Sequence, residues 1–111
     1  MGRPEIKKYN ILYEIGYYDG ILGGVLECNG QQYYFVWEQD DADKHRIYHI
    51  YDITDKEMGH LDFRNYLFEF CYKGTYSIEI MLFLTALFKS QEKYFIEPVL
   101  RDDNIIGWFK E

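Results

Sequence analysis

Apolar and polar residues alternate along the first half of the chain, in runs separated by turn signals. A period of two is the spacing of a β-strand that buries one face. The dipeptides Asp19-Gly20 and Asn29-Gly30, which separate the first three runs, favour two-residue hairpin turns. An acidic segment over 40–44 separates the third run from the fourth. The pattern therefore predicts a four-stranded antiparallel meander over about residues 9–53.

The two hairpin turns and a five-residue loop over 40–44 set a register in which Phe35 lies between Gly24 and His49. Because successive side chains of a strand point to opposite faces, this register sorts the residues into two groups. The apolar face holds Tyr13, Ile15, Tyr17, Leu22, Leu26, Tyr33, Phe35, Trp37, Ile47, Tyr51 and Ile53. The outer face holds Tyr34 and Tyr48, with Tyr18 near them. We expect Gly24 to mark either a strand bulge or a place where the Phe35 ring lies over the glycine, and a ligand slot at this position is the alternative.

The second half of the chain changes to a helical period. Thr54 and Glu57 have the spacing of a capping box, in which each residue satisfies a free backbone amide of the other. This pattern predicts a helix over about 55–72. Ser77 is a suitable N-cap for a second helix, over about 77–92. A strand over part of residues 76–84 is an alternative, because Tyr76, Ile78 and Ile80 also alternate with polar residues.

The last part of the chain carries two short apolar runs on either side of residues 101–104. They predict a C-terminal β-hairpin over about 94–110, although Pro98 makes its first strand an edge or a broken strand. The expected fold class is therefore α+β, with a meander packed against two helices and followed by this hairpin.

The composition narrows the class of protein. The chain has 111 residues, of which 48% are hydrophobic and 20% aromatic, so it can bury a core, and we expect a single domain over 1–111. Its net charge of −7 argues against direct binding to nucleic acid. Cys28 and Cys71 form no metal or disulfide motif, and no signal peptide or apolar run of about 20 residues is present. We therefore expect a cytoplasmic protein without membrane contact.

The sequence contains no catalytic or metal-binding motif. Ser77 and Ser90 are its two serines, and neither lies in a nucleophile elbow. On one strand, His45 and His49 would be about 13 Å apart at about 3.3 Å per residue, too far to share an ion. We expect no catalytic residue, no metal and no cofactor.

His49 supports an alternative hypothesis. The predicted register places it on the aromatic face near Tyr33 and Tyr51. A histidine there either donates a hydrogen bond within the core or exchanges a proton with a tyrosine hydroxyl. The second case describes a small enzyme or a ligand-binding sensor with a pocket at His49, Tyr33 and Tyr51.

The acidic segment and the outer tyrosines favour a different function. Concentrated carboxylates attract and orient a basic partner, and exposed tyrosines are common in binding hot spots. We therefore expect a non-enzymatic binding or inhibitory module that engages a basic protein. The expected contact residues are Glu38, Asp40, Asp41, Asp43, Tyr18, Tyr34 and Tyr48.

The surplus of acidic and aromatic residues supports two further hypotheses about function. The acids could mimic the charge of a nucleic acid, and the surplus aromatic residues could form a homodimer interface. In composition the chain resembles small acidic α+β proteins such as toxin-immunity proteins and phage anti-defence inhibitors. This likeness is one of composition and points to no particular residue.

Overall fold

The computed structural model of the protein describes residues 3–17 and 20–111, with the backbone alone for Tyr17. The chain divides into two compact units. The sheet unit consists of Met1–Thr54 and Val99–Glu111, and the helical unit is Asp55–Pro98. The single domain expected over 1–111 stays a prediction.

The sheet unit is a five-stranded antiparallel sheet in the order β1-β2-β3-β4-β5. Its strands are β1 (Asn10–Tyr17), β2 (Ile21–Cys28), β3 (Gln31–Asp40), β4 (Arg46–Tyr51) and β5 (Ile105–Lys110). The predicted meander of four strands and the α+β class are confirmed. Hydrogen bonding then continues past the meander, because β5 pairs with β4.

The β2–β3 hairpin has the predicted register. Cys28 pairs with Gln31, and Gly24 pairs with Phe35. Asn29 and Gly30 have φ angles of 53° and 78°, the positive values that a tight two-residue hairpin turn requires. A Cβ atom at Gly24 would lie 2.9 Å from Cζ of Phe35, so the ring does lie over this glycine as expected.

The predicted β3–β4 register is wrong by one residue. Phe35 pairs with Ile50 instead of His49, because the loop occupies residues 41–45 and a bulge lies between Trp37 and Gln39. A slip of one residue moves each side chain of a strand to the other face. Tyr48 therefore lies on the same face as Phe35, and His49 lies on the opposite face.

The β1–β2 register differs from the prediction in the same way. Ile15 pairs with Gly23 instead of Gly24, because three residues separate the paired Tyr17 and Ile21. The two-residue turn predicted at Asp19-Gly20 falls partly outside the described residues, since Asp19 is not among them. Tyr13 and Ile15 consequently lie on the sheet face opposite Phe35.

Aromatic rings form the centre of the sheet core. The ring of Phe35 forms T-shaped pairs with Tyr48 and Phe109, with centroids 5.6 and 5.4 Å away, and the latter two rings stack at 4.9 Å. The hydroxyl of Tyr48 donates a 2.6 Å hydrogen bond to the carbonyl of Ile21. The buried cluster consists of Leu26, Cys28, Phe35, Tyr48, Ile50 and Phe109.

The helical unit contains α1 (Asp55–Tyr72) and α2 (Ile78–Gln91), followed by a 3₁₀ turn over Glu92–Tyr94. Both predicted helices are confirmed, and the alternative strand over 76–84 is wrong. Ser77 caps α2, since its hydroxyl oxygen accepts a hydrogen bond from the amide of Ile80 at 3.4 Å. The core of this unit is formed by Cys71, Leu84 and Phe88.

The C-terminal hairpin predicted over 94–110 is wrong. No strand forms over 95–100 in the described chain, and β5 instead extends the meander at the edge of β4. Pro98 has no amide hydrogen for a sheet ladder. The other edge of β5 is partly covered by the N-terminal segment, where the amide of Ile6 donates to the carbonyl of Trp108 at 2.7 Å.

Candidate functional site

The predicted acidic segment forms an ordered turn, which we call the acidic hairpin and define as residues 38–45. Oδ1 of Asp41 accepts hydrogen bonds from the backbone amides of Asp43 at 2.9 Å and His45 at 2.8 Å. These two bonds, that from His45 above all, hold the pKa of Asp41 below its usual value. Asp41 therefore shapes the turn that carries the other acids.

Neighbouring groups reduce the charge that Asp41 presents to solvent. Its Oδ2 lies 3.5 Å from Nδ1 of His45 and 3.9 Å from Nζ of Lys110. Asp40 and Asp43 are exposed, and Oδ1 of Asp40 accepts a hydrogen bond from the indole of Trp37 at 3.0 Å. The hairpin thus presents exposed carboxylates on a turn held by its own hydrogen bonds.

The turn also brings three metal-ligating side chains together. One donor atom from each of Asp41, Asp43 and His45 lies within 4.8 Å of the others. The sequence does not signal this group, because the expectation of a strand from His45 to His49 is wrong for His45, which lies in the loop before β4. The ammonium group of Lys110 lies 3.9 Å from Oδ2 of Asp41 and would compete with a bound cation.

Of the tyrosines predicted for the outer face, the described residues place Tyr34 there. Tyr34 is half-buried on the face opposite Phe35. Tyr48 is 2% exposed and belongs to the core, so its predicted place on the outer face is wrong. The β3 bulge shifts the register by one residue and so turns Tyr48 towards the core. Tyr18 lies outside the described residues.

The alternative pocket changes composition for the same reason. His49 and Tyr51 share one sheet face, whereas Tyr33 packs with the Phe35 cluster on the other. The side chain beside both His49 and Tyr51 is that of Glu38. Its Oε1 accepts a 2.8 Å hydrogen bond from the hydroxyl of Tyr51 and lies 3.8 Å from Nδ1 of His49. Burial and the bond to Glu38 raise the pKa of Tyr51.

An open cleft of about 420 Å³ lies beside His49. Its wall includes Trp108, whose indole donates a 2.9 Å hydrogen bond to the carbonyl of Arg3. The guanidinium of Arg3 donates in turn to the carbonyls of Ile105 and Asp102. The sequence gives no local signal for this cleft, because Arg3 and Trp108 come from opposite ends of the chain.

Comparison of the chain with protein-family models, curated proteins and solved structures found no match. The site is therefore defined by its geometry alone. Within the described ranges, no helix is both long enough and apolar enough to cross a membrane.

The helical unit adds an exposed apolar surface that no predicted site residue belongs to. On α2, Ile78, Leu82 and Phe83 are 77%, 68% and 67% exposed. On α1, Phe63 and Tyr66 are also more than half exposed. Apolar side chains exposed together are typical of interaction surfaces.

Proposed function

We propose that the chain is a non-enzymatic protein-binding module that engages a basic protein through the acidic hairpin. The observation that carries this proposal is the turn itself. Oδ1 of Asp41 accepts hydrogen bonds from the backbone amides of Asp43 and His45. Asp40 and Asp43, on either side of Asp41, are exposed. Carboxylates held in a fixed arrangement need no ordering when a partner arrives.

The distribution of charge supports the same function. The sequence of the sheet unit contains twelve acidic and seven basic residues, a net charge of −5, whereas the helical unit has seven and five, a net charge of −2. The acidic hairpin lies in the more negative unit. A concentrated negative potential raises the association rate of a positively charged partner and selects its orientation.

The test is a charge reversal with a matched control. A basic protein retained by the immobilised chain from an extract of its source cells at low salt is purified, and its binding is then measured by surface plasmon resonance. The double variant Asp40→Lys/Asp43→Lys should reduce the association rate about tenfold or more. If the double variant binds as the wild type does, the acidic hairpin is not the site.

The control is Glu27→Lys/Asp103→Lys, which changes the net charge equally at the other end of the sheet. Gln32, the residue opposite Glu27, is eight positions from Asp40 along β3, or about 26 Å at about 3.3 Å per residue. Asp103 precedes the start of β5 at that same end. The control should keep most of the wild-type rate. An equal loss in both variants would show that net charge alone attracts the partner.

A second candidate function is a small enzyme or ligand-binding sensor at the cleft beside His49. The specific observation in its favour is that His49 lines a cleft of about 420 Å³ and lies 3.8 Å from a carboxylate oxygen of Glu38. A fragment library screened by ¹H–¹⁵N NMR tests it. Shifts confined to Gln39, His49 and the indole of Trp108 would support a ligand site, and their absence across the library would reject it.

A further inference from the structure

The first two turns of α2 are apolar on nearly every side. Between Ile78 and Phe83 the one polar residue is Glu79. Ile78, Leu82 and Phe83 are mostly exposed, and Ile80 and Met81 are about half exposed. A helix that is apolar all round is normally buried in a protein interior. Ser77 caps this segment, which is therefore a helix. Its exposed apolar side would be stabilised by packing against another surface.

The exposed apolar residues follow one side of the helix. Residues four positions apart share a side, which places Ile78, Leu82 and Ala86 in one row with Lys89 at its end. All four are exposed. The buried residues Leu84 and Phe88 face the other side, where they pack against Cys71. We call this exposed row, with Glu79 and Phe83 at its border, the α2 stripe.

We propose that the α2 stripe is a self-association surface, on which the α2 helix of a second copy of this chain packs antiparallel. The charges of α2 point to a second copy as the occupant. The helix carries one acid, Glu79, near its start and one base, Lys89, near its end. In an antiparallel pair centred between Leu82 and Ala86, Glu79 of each copy lies opposite Lys89 of the other.

The side chains at the centre of this pair are also complementary. Leu82 of one copy comes opposite Ala86 of the other, so a large side chain meets a small one twice across the two-fold axis. A basic partner would find no net negative charge on α2. Each chain carries a net charge of −7, so two copies repel each other over most of their surface. The repulsion is smallest at α2, because the charges of Glu79 and Lys89 on this helix sum to zero.

The available area indicates a weak and reversible contact. With a full area of about 200 Å² for a large side chain, Ile78, Leu82 and Phe83 expose on the order of 400 Å². A stable interface buries about 800 Å² per partner. The α2 stripe therefore supplies about half of that area in apolar side chains, and we expect a reversible dimer with a Kd in the micromolar range.

Sedimentation velocity of the full chain from about 1 to 300 μM tests the proposal. The wild type should shift from monomer to dimer over this range. Leu82→Glu should remain monomeric throughout, because it buries a charge at the two-fold axis. Phe63→Glu on α1 is the matched control and should dimerise as the wild type does. Circular dichroism of each variant confirms that the helices are formed.

A charge swap separates the proposed pairing from a general effect on the fold. Glu79→Lys places two lysines opposite each other and should weaken the dimer several-fold. Glu79→Lys/Lys89→Glu restores opposite charges and should recover it, although both changes oppose the α2 macrodipole and lower helix stability. A wild type that stays monomeric at 300 μM overturns the proposal. So does a dimer that survives Leu82→Glu, or a swap that restores nothing.

Discussion

The hydroxyl of Tyr51 donates a hydrogen bond to Oε1 of Glu38 on the neighbouring strand, 2.8 Å away. The same carboxylate oxygen lies 3.8 Å from Nδ1 of His49. Glu38 thus connects the acidic hairpin with the histidine that borders the cleft. A ligand in the cleft or a partner of the acidic hairpin that moves the Glu38 side chain would break its hydrogen bond from Tyr51 and remove the carboxylate from beside His49.

The first prediction concerns the ionisation of Tyr51. Burial, the bond to Glu38 and the negative charge of Glu38 raise the pKa of this phenol. A raised pKa in the folded state contributes stability that is complete below the unfolded value and is lost as the pH rises through the folded value. Glu38→Gln removes the charge, so the pKa of Tyr51 should fall towards its ordinary value.

The pKa of Tyr51 can be followed by NMR of tyrosine labelled at Cζ, with Tyr51→Phe to assign its signal. Tyr9, whose pKa burial and Glu111 raise to about 12, serves as an internal control because Glu38 is not among the causes of its shift. An unchanged titration of Tyr51 in Glu38→Gln would contradict the role assigned to the carboxylate.

The second prediction concerns acid stability at the acidic hairpin. The amides of His45 and Asp43 hold the pKa of Asp41 below its unfolded value. A lowered pKa in the folded state contributes stability that is present above the unfolded value, near 3.8, and is lost as the pH falls through the folded value. Asp41→Asn should therefore show a smaller loss of stability than the wild type between pH 6 and the acid range.

Urea unfolding at a series of pH values measures this difference. Asp43→Asn is the matched control, since it removes one charge from the same turn but neither of the two hydrogen bonds that Asp41 accepts. If the two variants have the same acid dependence, these hydrogen bonds are not its source.

The third prediction compares two glycines. A Cβ at Gly24 would collide with the carbonyl oxygen of Tyr13 and lie 2.9 Å from the Phe35 ring, whereas one at Gly59 would meet nothing within 4 Å. Gly24→Ala should lower the free energy of unfolding by about 2–3 kcal/mol, the cost of overpacking a sheet core. Gly59→Ala, inside α1, should raise it by about 0.5–1 kcal/mol through helix propensity. Thermal and urea unfolding of both variants would show whether the signs differ.

The fourth prediction concerns Tyr48, which is buried in the sheet core. Tyr48→Phe removes the hydrogen bond to the Ile21 carbonyl and should cost about 1 kcal/mol of unfolding free energy. Tyr48→Ala also removes the stacked ring and should cost about 3–5 kcal/mol. Tyr66→Ala on α1, where the side chain is 67% exposed, should change stability by less than about 0.5 kcal/mol. Similar losses at Tyr48 and Tyr66 would contradict the burial of Tyr48.

Local signals account for the parts of the fold that the sequence predicts correctly. Asn29-Gly30 determines the β2–β3 register because both residues tolerate the positive φ angles of the turn. Ser77 determines the start of α2 through a bond to an amide three residues away. Each of these signals lies within a few residues of the structure that it specifies.

Contacts between distant residues account for the errors. The β3 bulge inserts one residue between Trp37 and Gln39, and the alternation of apolar residues along β3 and β4 does not reveal it. That insertion moves Tyr48 into the core and His49 out of it. The pairing of β5 with β4 joins residues more than 50 positions apart. Asp40 and Asp43 are exposed as their composition predicts, although the loop occupies residues 41–45 instead of 40–44 and Asp40 ends β3.

The position of Phe109 also affects how the sheet unit is made in the cell. Its ring stacks on Tyr48 and meets Phe35, but it follows them in the sequence by more than 60 residues. Synthesis proceeds from the N-terminus, so the meander leaves the ribosome before the ring that completes its core. All residues of the helical unit emerge in the interval. The nascent meander therefore exposes an aromatic face during translation. Mutations that delay the pairing of β5 with β4 should reduce the yield of soluble protein more than they reduce its final stability.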